Sequence, residues 1–371
     1  MKIAYFGTPS FSAALLEKLI LDTSLGIKVS LVVTQPDRPT GRKMLMTPSP
    51  VKTVAQKYGI EVVDSIEKLQ VASYKLREVD LSLVYAFGFK RLIPLDLLRA
   101  PKIQFDIGGG NTSGFVNIHP SLLPLYRGAS PIAYPILMGE NKTGVTLFVM
   151  DEKMDHGPII SQEEMPITLT DVRTDMEKKL SDLGFEMLKQ FLISTNLTNS
   201  NQLQLIQQEH SRATRAPYMT REDGFIDMNT LKKALKNEPL ILQDLPYSLK
   251  QAKDADSSTW HARLPIIPKH SARTSLLYRG EDASEQKNIQ NVLQNSAMTI
   301  FNFWRGMHPW PGVWTKVVVN NEEKRLKIIN MSLPAPHQPT ITRQLRIDTV
   351  QLEGKSPIDF PTFQRAYKVF E

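Results

Sequence analysis

The sequence predicts an α/β protein in two parts, a doubly wound, mostly parallel sheet followed by a smaller C-terminal β-barrel. Three observations carry that prediction. Apolar strand-like runs alternate with helix-period segments from the first residues onward, a stretch rich in Asn, Gln and Ser interrupts the chain near residues 193–216, and short β-like runs separated by prolines and polar turns come after it. A length of 371 residues also exceeds one average domain. The expected division is residues 1–192, a linker at 193–216, and 217–371, with an exposed insertion at about 233–297 where no apolar period can be found.

Residues 2–6 read as a buried strand, Gly7-Thr8-Pro9 as a turn, and Ser10 to Leu21 as a helix with Phe11, Leu15, Leu16 and Leu19 at helical spacing. Val29 to Thr34 is a second strand. A loop over 35–50, a helix near Val51 to Tyr58, and strands at 61–63, 81–86, 116–119 and 145–150 continue the alternation, which implies parallel pairing. Residues 171–192 carry a long helical period through Met176, Leu180, Leu183, Met187, Leu188 and Phe191. In the second part the β-like runs are Val313 to Val319, Leu326 to Met331, Thr340 to Ile347 and Asp348 to Leu352. DIGGGNTSG, residues 106–114, lacks the lysine and helix of a phosphate loop and reads as a flexible surface insertion.

Composition removes several function classes. No apolar run approaches the roughly 20 residues that a spanning helix needs, so no membrane partner is expected. There is no cysteine, which excludes disulfides, thiolate metal sites and a cysteine nucleophile. The seven histidines show no ligand spacing, so no metal is expected. The formal charge of +7 is not spread evenly: residues 211–371 hold 23 Lys and Arg against 16 Asp and Glu, whereas residues 1–210 hold 22 of each sign. Such a balance fits a polyanion-binding second domain, and also a merely solvated lysine-rich face. The opening MKIAYFGTPSF reads as fold, so a signal or transit segment is either not there or already removed.

Chemistry-bearing residues gather in three places. In VNIHPSLLPLYRGASPI, residues 116–132, strand alternation puts Asn117 and His119 on one face. An amide donor beside an imidazole is what acyl transfer to an amine requires, although at this spacing a satisfied structural histidine beside Pro120 fits as well. TGVTLFVMDEKMDHGPII, residues 143–160, ends a strand in an acidic turn with Asp151, Glu152 and Asp155. From a neighbouring parallel strand Asp155 could reach and orient His119, whereas capping or solvent exposure is the ordinary fate of a turn Asp. QPDRPTGRKMLMTPSPVK, residues 35–52, is a basic loop with Arg38, Arg42, Lys43 and Lys52, suited to phosphate contact or to a plain solvated connection.

Together these segments closely resemble methionyl-tRNA formyltransferases, a branch of the folate-dependent formyltransferase family with a Rossmann-like N-terminal fold and an OB-like C-terminal barrel. NIHPSLLPLYRGASPI and MDEKMDHG are similar to motifs shared across the family. The basic loop resembles the acceptor-stem loop of the tRNA-acting members, and REDGFIDM (221–228) and FWRGMHPWPGVW (303–314) resemble their tRNA-binding barrel. The resemblance implies 10-formyltetrahydrofolate as formyl donor, methionyl initiator tRNA as partner and a monomeric enzyme of translation initiation. It implies catalytic roles for Asn117, His119 and Asp155, a folate pocket lined by Ser121, Leu122, Leu123 and Pro124, Arg42 at the unpaired end of the acceptor stem, and Arg38, Lys43 and Lys52 on phosphates. His156 stands where many relatives carry Thr. Insertions at about 102–115 and 233–297 fit a diverged organellar enzyme, expected in the mitochondrial matrix, or in the cytoplasm if bacterial. The rival readings are formylation of a small amine, such as a nucleotide sugar or purine precursor, and a catalytically silent tRNA-binding protein. The basic second domain speaks against the first and the complete Asn117, His119, Asp155 set against the second.

Overall fold

Seven strands build the central sheet: β1 (Lys2–Gly7), β2 (Lys28–Val33), β3 (Glu61–Val63), β4 (Leu81–Tyr85), β5 (Phe115–His119), β6 (Lys142–Val149) and β7 (Ile159–Pro166). Their order is β7-β6-β5-β4-β1-β2-β3. The five strands from β3 to β5 pair in parallel, while β6 runs antiparallel to both β5 and β7. The computed structural model describes residues 1–41, 43–88, 92–194, 203–249, 292–293, 295–333 and 344–370. The parallel strands are near-continuous apolar runs because helices cover both faces; every residue of β4 is buried.

The first compact unit comprises Met1–Pro131, Lys142–Pro166 and Asp175–Pro217. Helix α1 (Ser10–Leu21) buries Leu15, Leu16 and Leu19, the spacing seen in the sequence. Its Ser12 ties two strands together, accepting from Tyr5 Oη at 2.9 Å and donating to Tyr85 O at 2.7 Å. That contact explains Gly7, since a Cβ there would lie 2.1 Å from Ser12 Oγ. Helix α2 (Pro50–Lys57) is capped by Ser49. The long helix α3 (Arg173–Ser194) lies against the sheet where Gly184 meets Ile118 and Val145. The Gly-rich 106–114 stretch is a hairpin, Phe105–Gly108 with Asn111–Ser113, turned by Gly109 and Gly110 at positive φ.

The second unit comprises Ile132–Asn141, Ile167–Thr174 and Tyr218–Glu371. Its main sheet is antiparallel, with β8 (Val313–Val319), β9 (Glu322–Ser332), β10 (Arg346–Leu352) and β11 (Ile358–Asp359) in that order, and Leu240–Ile241 pairs separately with Val292–Leu293. The two runs read as separate strands at 340–347 and 348–352 are one strand, β10, and residues 340–343 lie outside the described residues. Helices α4 (Met228–Leu235), α5 (Ser296–Met307) and α6 (Phe360–Tyr367) complete the unit. α5 packs on the short helix Ala133–Leu137, with a Cβ on Gly306 2.7 Å from Leu137. REDGF is fixed to β8: Trp314 Nε1 donates to Arg221 O at 3.0 Å and Ile226 N to Trp314 O at 2.9 Å.

The boundaries differ from the sequence reading in two places. Within the expected linker, residues 203–216 belong to the first unit, where Ala216 is fully buried and Gln208 is 5% exposed. Within the expected insertion, residues 233–249 and 295–297 carry buried side chains such as Ala234, Leu245 and Ala297; residues 250–291 and 294 lie outside the described residues.

Candidate active site

β5 ends at His119, and the residues after it form a tightly bonded loop. Thr146 Oγ1 donates to Ser121 O at 2.7 Å and accepts from Leu123 N at 3.1 Å, and Gln162 Nε2 donates to Leu123 O at 2.9 Å. The Leu123–Pro124 peptide is cis. Ser121 is completely buried and spends its hydroxyl on Leu125 O at 2.7 Å, and Leu123 is 3% exposed. Of the four residues expected to line a ligand pocket, only Leu122 and Pro124 keep accessible surface; Ser121 and Leu123 shape the loop from inside.

His119 is 4% exposed. Its Nε2 lies 3.1 Å from Tyr126 O, and because a carbonyl can only accept, that nitrogen carries hydrogen. Nδ1 therefore handles any exchangeable proton, and it faces Asp155 Oδ1 at 3.8 Å, an ion-pair distance too long for a direct hydrogen bond. Phe148 meets the imidazole edge-to-face at 6.4 Å. Asn117, two residues upstream and half-buried, has no hydrogen-bond partner for its carboxamide among the described residues. The strand thus presents an open amide and a restrained imidazole, about 7 Å apart along the chain.

Asp155 does not arrive as the sequence suggests. A neighbouring parallel strand was expected to deliver it, but β6 is antiparallel and leaves the sheet with Val149 beside Val116, three residues upstream of His119. The acidic turn must double back. Asp155 does so in the left-handed conformation at φ +49, with Oδ2 accepting Gly128 N at 2.7 Å. Gly157 permits the return, since a Cβ there would fall 1.9 Å from Val149 O. Asp151 accepts from His156 Nδ1 at 2.6 Å, and His156 stacks on His210 at 3.9 Å between ring centroids.

Sequence reasoning missed the support behind this turn. Gln208 Nε2 donates to Asp155 O at 3.1 Å and Gly157 O at 2.7 Å, and its Oε1 accepts from Arg127 Nε and Nη2. Arg127 Nη2 also donates to His210 Nδ1 at 2.9 Å. Thr214 Oγ1 accepts from Tyr126 N at 2.9 Å. Burial lowers the Arg127 pKa against the pull of Asp155 and Asp151, and burial with the nearby His156 and Arg127 lowers that of His210. Arg127 stands inside a quoted motif, but nothing around Gln208 signals its role.

The basic loop is an exposed antiparallel hairpin, Arg38–Thr40 with Leu45–Thr47. Arg38 and Lys43 face solvent, Met44, Leu45 and Met46 at its tip are each more than 60% exposed, and Arg42 lies outside the described residues. Lys52 differs from expectation. Its Nζ sits 2.7 Å from Asp37 and 3.7 Å from Asp64, with the side chain 17% exposed, so it braces the hairpin base rather than meeting an external anion. Among the described residues no His, Cys, Asp and Glu cluster could hold a metal, and no helix is long and apolar enough to cross a membrane.

A family model described as formyl transferase matches residues 1–192. Methionyl-tRNA formyltransferase of Enterococcus faecalis is 37% identical over 284 residues, covering 76% of this chain and 85% of that protein. The enzyme of that name from Staphylococcus epidermidis is 43% identical over 240 residues, 64% of this chain and 71% of the relative. A solved N-formyltransferase from Helicobacter canadensis, in complex with folinic acid and dTDP-3-aminofucose, shares the fold at a TM-score of 0.50 and 17% identity, covering 97% of this chain and 98% of its own. By the family match across its first 192 residues and these relatives, the chain belongs to the formyl transferase family and, within it, to the methionyl-tRNA formyltransferases.

Proposed function

We propose that the chain transfers the formyl group of 10-formyltetrahydrofolate to the α-amino group of methionyl initiator tRNA. The observation that carries the chemistry is the approach of His119 Nδ1 to Asp155 Oδ1 beside the open carboxamide of Asn117. The methionyl nitrogen attacks the formyl carbon, and the carbonyl oxygen becomes an oxyanion. Asn117 donates a hydrogen bond to it and cationic His119 supplies charge, donors of a kind worth about 3 kcal/mol each when removed. Asp155 balances His119 and accepts the proton that leaves the amine and passes to N10 as the carbon–N10 bond breaks. The products are formylmethionyl-tRNA and tetrahydrofolate. Leu122 and Pro124, the accessible residues of the loop after His119, would meet the donor.

The exposed hairpin supports an acceptor-stem contact, with Arg38 and Lys43 on phosphates and the apolar tip against bases, and the resemblance to the tRNA-acting members adds Arg42 at the unpaired end. Lys52 holds the base of that hairpin. The cationic excess of residues 211–371 supports a second tRNA contact through the C-terminal unit.

The test is transfer of labelled formyl from 10-formyltetrahydrofolate to methionyl initiator tRNA, beside elongator methionyl-tRNA, free methionine, and the Asn117→Ala and Asp155→Ala variants. Transfer confined to the initiator and lost in both variants is expected. Activity on small amines alone would replace this reading with the small-amine formyltransferase, and tight tRNA binding without transfer by the parent chain would leave a binding protein.

A further inference from the structure

We infer that Gln208, braced by Arg127, is a positioning residue for Asp155, and that residues 203–217 thereby set the inner geometry of a turn of which the central sheet holds only the ends. Its kinetic consequence rests on the formyl-transfer reading, and its structural consequence on the hydrogen bonds of Gln208 and Gly128.

β6 delivers the chain beside Val116 and β7 takes it up again at Ile159, paired with Phe148, so the sheet fixes the ends of the turn but not the conformation at Asp155 within it. Asp155 holds φ +49, a left-handed conformation that disfavours a non-glycine residue and persists only where surroundings enforce it. The enforcing group is one carboxamide. Both N–H bonds of Gln208 are directed at carbonyls of the turn, Asp155 O and Gly157 O, while its oxygen takes two N–H groups of Arg127. Every donor is used, and the side chain is buried in a residue 5% exposed. Neither orientation nor chemistry is free: a flipped amide would set N–H against guanidinium and oxygen against carbonyl. Gly128 N, one residue after Arg127, holds the carboxylate through Oδ2. The Arg127 to Gly128 step therefore grips Asp155 at both ends, through Gln208 at the backbone and directly at the carboxylate, leaving Oδ1 aimed at His119.

The isosteric Gln208→Glu is the informative substitution. It keeps the shape and the Arg127 partner but turns an oxygen toward two carbonyl oxygens, so the turn is released while the segment stays attached. In hydrogen exchange on the full chain, the Gly128 amide is expected to exchange about tenfold faster in Gln208→Glu and in Gln208→Ala, with amides of β1 and β4 unchanged. This readout needs no activity. Equal Gly128 protection in parent and both variants overturns the inference.

Kinetically, Gln208→Glu should lower kcat on the order of 10- to 100-fold with KM for both substrates within about twofold, as misplacement by a fraction of an ångström does. Gln208→Asn, which can reach one carbonyl, should recover part of the loss. In an Asp155→Asn background the Gln208→Glu effect should vanish, because one residue acts through the other. An undiminished loss in that background, or a raised KM with kcat intact, overturns the inference. A parent chain that transfers no formyl fails the functional reading, while the exchange measurement still decides the role of Gln208.

Discussion

His119 Nε2 donates to Tyr126 O at 3.1 Å, and this leaves Nδ1 facing Asp155 Oδ1 at 3.8 Å. A backbone carbonyl cannot change its protonation, so it fixes which nitrogen exchanges protons. Nδ1 is therefore the ring nitrogen that faces the carboxylate, and any proton passing between the two residues passes through it. Acid and base are thus assigned by hydrogen-bond geometry rather than by residue type.

Asp155→Asn separates charge from support. An amide oxygen can still accept Gly128 N, so the turn should persist and the thermal midpoint should stay within about 2 °C of the parent, a change of at most about 1 kcal/mol. Without the charge, kcat for formyl transfer should fall about 10²- to 10⁴-fold, the range for removal of a positioned acid–base group. Retention of more than half of the parental kcat would remove Asp155 from the proton path.

The hairpin cations should divide into two classes. Arg38→Ala and Lys43→Ala remove exposed charges and should weaken tRNA binding, each lowering the slope of log K against log salt by about 1. Lys52→Ala removes a partnered ammonium and leaves Asp37 and Asp64 without it. Its first effect should be a stability loss of about 1 kcal/mol with an unchanged salt slope. Filter binding at several salt concentrations, with thermal melts of the same variants, distinguishes the classes; a reduced slope for Lys52→Ala would return that residue to the tRNA surface.

His210 gives the docked segment a pH dependence of defined sign. Burial first, then the charges of His156, Arg127 and Lys153, hold its pKa below the usual value near 6.5, with Asp151 opposing. As pH falls through 6.5 the unfolded chain takes up a proton that folded His210 resists, so this contribution to stability is complete above that pH and declines below it. Melting the parent and His210→Gln at pH 7.5 and 5.5 measures it. The parent should lose more of its thermal midpoint on acidification than the variant; equal losses would mean that the Arg127 contact at 2.9 Å does not depend on a neutral ring.

Elements whose period matches their burial were legible in the sequence to the residue, as for α1 at Ser10–Leu21 and β8 at Val313–Val319. Asn117 and His119 were legible for the same reason, since alternation along a strand needs no tertiary information. Asp155 could be nominated, but not its route. The antiparallel direction of β6 comes from its pairing with β5 and β7, and the conformation inside the turn is held by Gln208, fifty-three residues from Asp155 in sequence. Ser121 and Lys52 were assigned outward roles because nothing local reveals that Leu125 O and Asp37 already take their polar atoms. Residues 203–216 resembled a linker because they attach through isolated backbone bridges at Ile206 and Arg215 and through the Gln208 and Thr214 side chains, modes with no apolar period.

Arg305 in α5 tests whether the C-terminal unit depends on a buried polar knot as well as on its sheet. The residue is 2% exposed; Nη1 donates to Thr168 O at 2.7 Å and Asp171 O at 2.9 Å, and Nη2 to Asn302 Oδ1 at 2.7 Å. Burial pulls its pKa down to about 10, still far above neutrality, so the cation persists and holds the 168–171 turn. Arg305→Met preserves most of the stem volume but strands two carbonyls and one amide, and should cost about 3 kcal/mol. Gly306→Ala, which pushes a methyl to within 2.7 Å of Leu137, should cost about 1–3 kcal/mol through overpacking at the adjoining contact. Because the two residues are neighbours serving the same helix contact, the double variant should depart from additivity, and denaturant melts of all three measure that departure. An Arg305→Met chain as stable as the parent would show the knot to be dispensable, with the apolar face of α5 alone holding the helix in place.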